Sequence, residues 1–173
     1  MIFKYLFFYF LLMVLSCVTF NARGLMDMGK FERVKEKCKR EDVIALQETN
    51  WKENVMNEYK KRWDGGIFYN NGDGRLGRGV ALLMKDDVFK MSKIVYTDKI
   101  GKCMVVEIKD EGRDLILVNV HAPVEEKEKK DLFNVLRNII KEYKEIIMMG
   151  DLTVFNKQDM AEGMAFRADT GRK

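Results

Sequence analysis

Apolar positions fall in short blocks along this chain, and their spacing changes from block to block. Residues 15–20 (LSCVTF) are mostly apolar and β-prone, and they stop at the turn Asn21-Ala22-Arg23-Gly24. Phe31, Val34 and Cys38 then recur at i, i+3 and i+7 in a Lys/Glu-rich background, which predicts a helix over about 28–40. Residues 42–46 form a short buried strand that ends at Gln47-Glu48-Thr49, and 53–63 read as a helix with Val55, Met56, Tyr59 and Trp63 on one side. Residues 67–69 and 80–84 are strands flanking a glycine-rich loop. Three more strands follow over 91–97, 103–109 and 114–120, the last two joined by a hairpin turn at Asp110-Glu111-Gly112-Arg113. A long amphipathic helix over 125–143 turns Leu132, Val135, Leu136, Ile139, Ile140 and Tyr143 inward, and an apolar strand over 146–149 ends at Gly150-Asp151. The order is β-α-β-α, a β meander, then α-β. That order predicts mixed sheets flanked by helices, not a doubly wound fold.

The N-terminus breaks the pattern. From Tyr5 to Leu15 the chain is unbroken in its apolarity, with one lysine before it. As a helix, this stretch and its weak continuation would span roughly 24 Å, short of a bilayer core. Two readings stand: a signal-like or anchor-like segment over residues 1–14, or an apolar extension of the first strand. The remaining 15–173 make one domain, long enough for a substantial core.

Composition narrows the function classes. The net charge of +4 is mildly basic, which suits a polyanionic partner but equally a solvated Lys/Glu surface. Cys17, Cys38 and Cys103 are scattered and form no C-x-x-C, so neither a disulfide framework nor a structural zinc site follows.

Residues 72–80 read GDGRLGRGV and superficially satisfy G-x-G-x-x-G. A dinucleotide loop must run from a strand into a helix N-terminus, whereas this one runs between two strands. A kinase loop would need H-R-D and D-F-G companions, and the chain's one histidine, His121, lies in NVHAP. The loop is therefore a hairpin connection whose glycines permit positive φ, and no nucleotide cofactor is expected.

Polar residues with chemical potential sit where apolar strands end. Asn21 follows VTF, Glu48 follows VIALQ, Asn119 and His121 close LILVNVH, and Asp151 follows IIMMG. Taken singly, such residues are turn or cap residues. Taken together on one rim, Glu48 and Asp151 supply oxygen ligands for a hard divalent cation, Asn21 and Asn119 neutral donors, and His121 a group that titrates near neutrality.

In that order FNARGL, ALQET, GRGVALLMK, LVNVHAP and MMGDLTVF resemble the successive motifs of the endonuclease/exonuclease/phosphatase superfamily. They are most similar to the apurinic-type endonuclease domain of LINE-type (non-LTR) retrotransposons, as is the tail NKQDMAEGMAFRADTGRK, and the resemblance covers about residues 15–173. It implies a four-layer α/β (α+β) sandwich of two mixed β-sheets flanked by helices, of the deoxyribonuclease and apurinic-endonuclease kind. The implied reaction is phosphodiester hydrolysis with Mg²⁺, or Mn²⁺ in its place, on the sugar-phosphate backbone of DNA. By resemblance, Asn21 lies beside phosphate and metal, Glu48 ligates the metal, and His121 contacts the scissile phosphate. Asp151 then orients water or assists the leaving group. Arg75 and Arg78 meet a DNA backbone in this reading, or are solvated loop arginines; Thr153 stands on the substrate side.

Two departures temper the resemblance. The family's G-D-x-N is here Gly150-Asp151-Leu152-Thr153, and a threonine hydroxyl cannot reproduce an amide's paired donor and acceptor. The family's later aspartate and its C-terminal aspartate-histidine pair have no counterpart before Lys173, so the domain is expected to be incomplete at its C-terminal end and weakened in catalysis. A monomer in the nucleus is the family expectation, with a membrane or secretory route if residues 1–18 act as signal or anchor. The rival functions are a lipid or sugar phosphatase on the same fold and a non-catalytic membrane-anchored fragment.

Overall fold

The computed structural model describes residues 4–9, 14–75, 77–110 and 113–151. Its chain order is β1 (Lys4–Tyr9), β2 (Val14–Asn21), α1 (Met28–Cys38), β3 (Val43–Gln47), α2 (Met56–Arg62), β4 (Gly65–Asn70) and β5 (Val80–Lys85). It continues with α3 (Asp86–Lys90), β6 (Ser92–Thr97), β7 (Cys103–Asp110), β8 (Arg113–His121), α4 (Glu126–Ile140) and β9 (Glu145–Asp151). One sheet has the order β1-β2-β3-β5-β4 and the other β6-β7-β8-β9. Parallel pairing occurs at β2/β3 and at β8/β9, and the other neighbours are antiparallel, so both sheets are mixed. Among the described residues, no helix is long and apolar enough to cross a membrane.

Strand parity explains why the apolar blocks are continuous. Along β2, Leu15 and Cys17 face the second sheet, while Val18 and Phe20 face the helices. The same division holds in β3, with Val43 and Ala45 between the sheets and Ile44 and Leu46 beneath α1 and α2. Strands buried on both faces have no polar side to show, hence their unbroken apolar runs. In the other sheet Met104, Val106, Leu117 and Met149 fill the space between the sheets, and Val105, Ile116 and Val118 pack under α4. The result is four layers: α1 with α2, the five-stranded sheet, the four-stranded sheet, and α4.

Helix α1 begins at Asp27, whose carboxylate caps the Lys30 amide, and buries the stripe Phe31, Val34 and Cys38. Helix α4 departs from the periodicity reading. Its buried stripe is Lys129, Leu132, Leu136 and Ile140, whereas Val135 lies on the solvent side, 37% exposed. Lys129 reaches Glu126 at 2.6 Å while its stem covers apolar surface. The short helix α3 was not anticipated. Five residues are too few to display a helical period, and Val88 is its one buried residue. Residues Glu111 and Gly112 of the expected hairpin turn lie outside the described residues, but β7 and β8 pair from Cys103↔Val120 through to Asp110↔Arg113.

Two features set testable limits on this fold. Gly150 adopts φ 138°, and a Cβ there would stand 1.8 Å from the Val120 carbonyl oxygen of the neighbouring strand. Gly150→Ala is therefore expected to cost about 2–4 kcal/mol, read as a lowered urea midpoint. Asp42 sits where β3 begins, accepting from the Ser16 amide and hydroxyl at 2.8 Å each and from Lys85 Nζ at 2.7 Å. Burial alone raises its pKa, but the Lys85 and Ser16 hydrogen bonds outweigh burial and hold the carboxyl below its usual range. A depressed folded-state pKa contributes stability above the unfolded value of about 3.9, and that stability is lost as pH falls through the folded value. Urea titrations on the acid side should accordingly show a shallower loss of stability in Asp42→Asn than in the wild-type chain.

Candidate active site

The site forms because both parallel crossovers deliver their strand ends to one rim. Asn21 and Gln47 end the β2/β3 pair in register, and His121 and Asp151 end the β8/β9 pair in register. Parity does the rest. Residue 21 shares the inter-sheet face with 15, 17 and 19; residue 121 with 115 and 117; and residue 151 with 147 and 149. All three side chains therefore lean into the cleft between the sheets.

Glu48 reaches the same point by a different route. It lies one residue past β3, in the left-handed region at φ 52°, an uncommon conformation for a residue with a Cβ. The surrounding backbone imposes this turn. Ala22 N donates to Gln47 O at 2.7 Å, Gly24 N to Glu48 O at 2.7 Å, and Leu25 N to Thr49 O at 2.8 Å. Lys30 Nζ ties down the carbonyls of Ala22 and Gly24 at 2.6 Å each. Trp51 Nε1 and the Tyr59 hydroxyl both donate to Leu25 O.

At the centre, Asn21 Nδ2 donates to Glu48 Oε1 at 2.7 Å and to Asp151 Oδ2 at 3.3 Å. Its Oδ1 accepts from Arg23 N at 2.9 Å, which fixes the amide's orientation. His121 Nε2 lies 3.3 Å from Glu48 Oε1, and Lys102 Nζ lies 3.2 Å from His121 Nδ1. Burial lowers the His121 pKa, as does the Lys102 charge, against the opposing pull of Glu48 and Asp151. Both effects favour the uncharged form of the ring. Lys102 is itself lowered by burial, with Glu48 acting in the opposite sense.

Beneath these groups runs a buried amide layer. Gln47 Nε2 donates to Thr19 Oγ1 at 3.1 Å and to Asn119 Oδ1 at 2.7 Å. Asn119 Nδ2 crosses to the other sheet and donates to Leu46 O at 3.1 Å and Ala81 O at 2.9 Å. Asn119 is fully buried, so the structure places it under the site as a spacer between sheets, not among groups a substrate can touch. That corrects its assignment as a catalytic donor.

The loop arginines share one carboxylate. Arg75 Nε and Arg78 Nη1 both pair with Asp73, at 3.1 and 2.8 Å, and the Arg78 side chain is only 14% exposed. Arg78 is thus a loop-internal cation, while Arg75 remains on the surface. Thr153 lies outside the described residues. The glycine loop joins two strands as expected, and Gly72, Gly74, Gly77 and Gly79 all take positive φ.

Gln47 and Lys102 belong to the site's structure, though no sequence motif marks them. Gln47 had a signal, being a polar residue in an otherwise apolar five-residue strand. Lys102 had none, since a lysine in a turn before a strand looks like any surface lysine.

The groups present fit a divalent cation. Glu48 and Asp151 are partly buried carboxylates that contact a single amide nitrogen, so their oxygens face one small volume. Two carboxylates with solvent access suit a Mg²⁺-like ion, which keeps several waters and takes one or two protein oxygens. Among the described residues, no cluster of three or more His, Cys, Asp or Glu is assembled for a fully protein-ligated metal.

The model of the Endonuclease/Exonuclease/phosphatase family matches residues 18–152, which include every residue placed on this rim. The chain belongs to that family. Solved structures share its fold: the AP endonuclease LMAP from Leishmania major at TM-score 0.60 and 17% identity, over 79% of this chain and 54% of that one. The Xenopus laevis APE2 catalytic domain is similar at TM-score 0.62 and 16% identity, over 81% and 58%. A humanized D. rerio TDP2 carrying 14 mutations aligns at TM-score 0.57 and 20% identity, over 85% and 65%. The family member thus spans between about half and two thirds of the length of these structures, and at such identities the likeness is one of fold. Comparison with curated proteins found no match.

The amide layer yields a prediction. Asn119→Ala would leave the Leu46 and Ala81 carbonyls and one Gln47 donor unpaired in a dry layer, at an expected cost of about 2–3 kcal/mol in urea denaturation.

Proposed function

We propose that this chain is a metal-dependent phosphodiesterase of the endonuclease type, acting on the DNA backbone, with its site at the Asn21, Glu48, His121 and Asp151 rim. The observation that carries the reading is the convergence of two carboxylates on one amide donor, with an imidazole nitrogen 3.3 Å from the first. Opposed sheets bring these groups together from residues 130 positions apart.

Glu48 and Asp151 would hold a divalent ion, Mg²⁺ or Mn²⁺, whose chemistry there is to neutralise charge on the phosphoryl oxygens. Asn21 keeps the two carboxylates at a fixed separation by donating one N–H to each. Asp151, as a carboxylate, accepts a hydrogen bond from an approaching water and orients its lone pair. His121 closes one side of the cleft with a ring that is mostly shielded from solvent. Lys102 adds positive charge next to the place where an anionic substrate must sit, so charge accumulating in the transition state meets a preset field. The similarity of the motif blocks and the tail to LINE-type elements supports a retroelement origin.

A supercoiled-plasmid assay tests this reading. Nicking is expected with millimolar Mg²⁺, abolished by chelation, and reduced roughly 100-fold or more in Glu48→Ala. DNA affinity should fall steeply with added salt. Absence of nicking by the wild-type chain, alongside turnover of a small phosphomonoester, would move the assignment to a phosphatase.

A further inference from the structure

We infer that Lys102 is a positioning residue that fixes His121 as the Nε2–H tautomer, so that the imidazole presents a hydrogen-bond donor, not a lone pair, to the carboxylate and phosphate side of the site. Its use in phosphate binding rests on the hydrolase reading; the tautomer itself does not.

The geometry leaves little choice. An ammonium has three N–H donors and no acceptor, so the 3.2 Å contact between Lys102 Nζ and His121 Nδ1 is favourable only if Nδ1 offers its lone pair. A neutral ring with a free Nδ1 carries its proton on Nε2. That nitrogen faces Glu48 Oε1 at 3.3 Å, where a second lone pair would be repelled by the carboxylate. A doubly protonated ring would set two cationic donors against each other at Nδ1.

Lys102 is itself fixed. Its Nζ donates to Gly77 O at 3.2 Å, its carbonyl accepts from His121 N at 2.7 Å, and its own amide donates to Asp98 Oδ1 at 2.9 Å. The chain of bonds therefore runs from the Gly77 carbonyl and Lys102 through the ring to Glu48, and Glu48 Oε1 also takes the Asn21 amide. Two donors thus converge on one carboxylate oxygen. A side chain that acts through another is what distinguishes Lys102 from the groups at the rim.

Histidine occurs once in the chain, so every imidazole signal belongs to His121. The full-length chain, labelled with ¹⁵N-histidine and free of added metal, is examined by long-range ¹H–¹⁵N correlation at about pH 8, above the ordinary histidine pKa of about 6.5. The expected spectrum has a protonated-type nitrogen at Nε2 and an unprotonated-type nitrogen at Nδ1. In Lys102→Met the two ¹⁵N shifts should move toward each other as the tautomers mix, and in Lys102→Arg, which retains a donor, they should stay apart. If amide dispersion shows Lys102→Met to be unfolded, Lys102→Ala makes the same comparison, again with no donor at that position. A wild-type ring protonated at Nδ1 overturns the inference, and so does an unchanged pattern in the uncharged variant. Because no substrate enters the measurement, an inactive wild-type chain would defeat the hydrolase reading while leaving the tautomer result to stand or fall alone.

Discussion

Beneath this rim one pair of buried side-chain amides ties the two sheets together. The Gln47–Asn119 hydrogen bond and the two bonds from Asn119 to Leu46 O and Ala81 O are fully buried polar ties across a largely apolar interface, and the Asn21–Asp151 and Asn70–Asp98 bonds add to them at its margin. Apolar packing between sheets is strong but has no direction, so it can hold two layers together while permitting them to slide. The amides remove that freedom at the end where it matters. Asn21 and Glu48 belong to one sheet's margin, His121 and Asp151 to the other's, and the site exists only while both margins keep a fixed offset. Polar groups buried this deeply stabilise one arrangement because any other strands them without partners.

Strand parity made much of the site readable. Once residues 15–20 are a strand buried on both faces, position 21 must share a face with 15, 17 and 19. The same counting puts 121 and 151 on the facing surface of the other sheet. What remained was that the two odd-numbered faces confront each other, and four layers with helices outside both sheets require it. Glu48 escapes the counting because it has left its strand. Its direction comes from a left-handed φ that the ladder into residues 22–25 enforces, and no property of a glutamate foretells that.

Other features were hidden for physical reasons that can be named. Val135 matched an apolar helical stripe, yet the stripe that packs is narrow, and Lys129 fills one of its positions with hydrocarbon stem. Asn119 reads equally well as a strand-end donor or as a buried spacer, since one amide serves both purposes. Helix α3 spans too little chain to show a period. Lys102 is legible only in three dimensions, because its meaning lies in what its ammonium touches. Arg78 shows the converse: a conspicuous loop cation whose charge is consumed by Asp73 within the same loop.

The glycine loop has a role that its composition conceals. Gly77 and Arg78 amides both donate to Asn50 Oδ1, Gly79 O accepts from Thr49 N, and Arg78 O from Asn50 N. Gly79 sits so close to Thr49 that a Cβ would stand 2.3 Å from its hydroxyl. The loop is thus a buttress pressed against the two residues that follow Glu48, and through the Gly77 carbonyl it also touches Lys102. Chain length and sequence here act as a trim adjustment on the carboxylate and the histidine together. Divergence between family members could retune such a site through this loop alone, with every residue at the rim left unchanged.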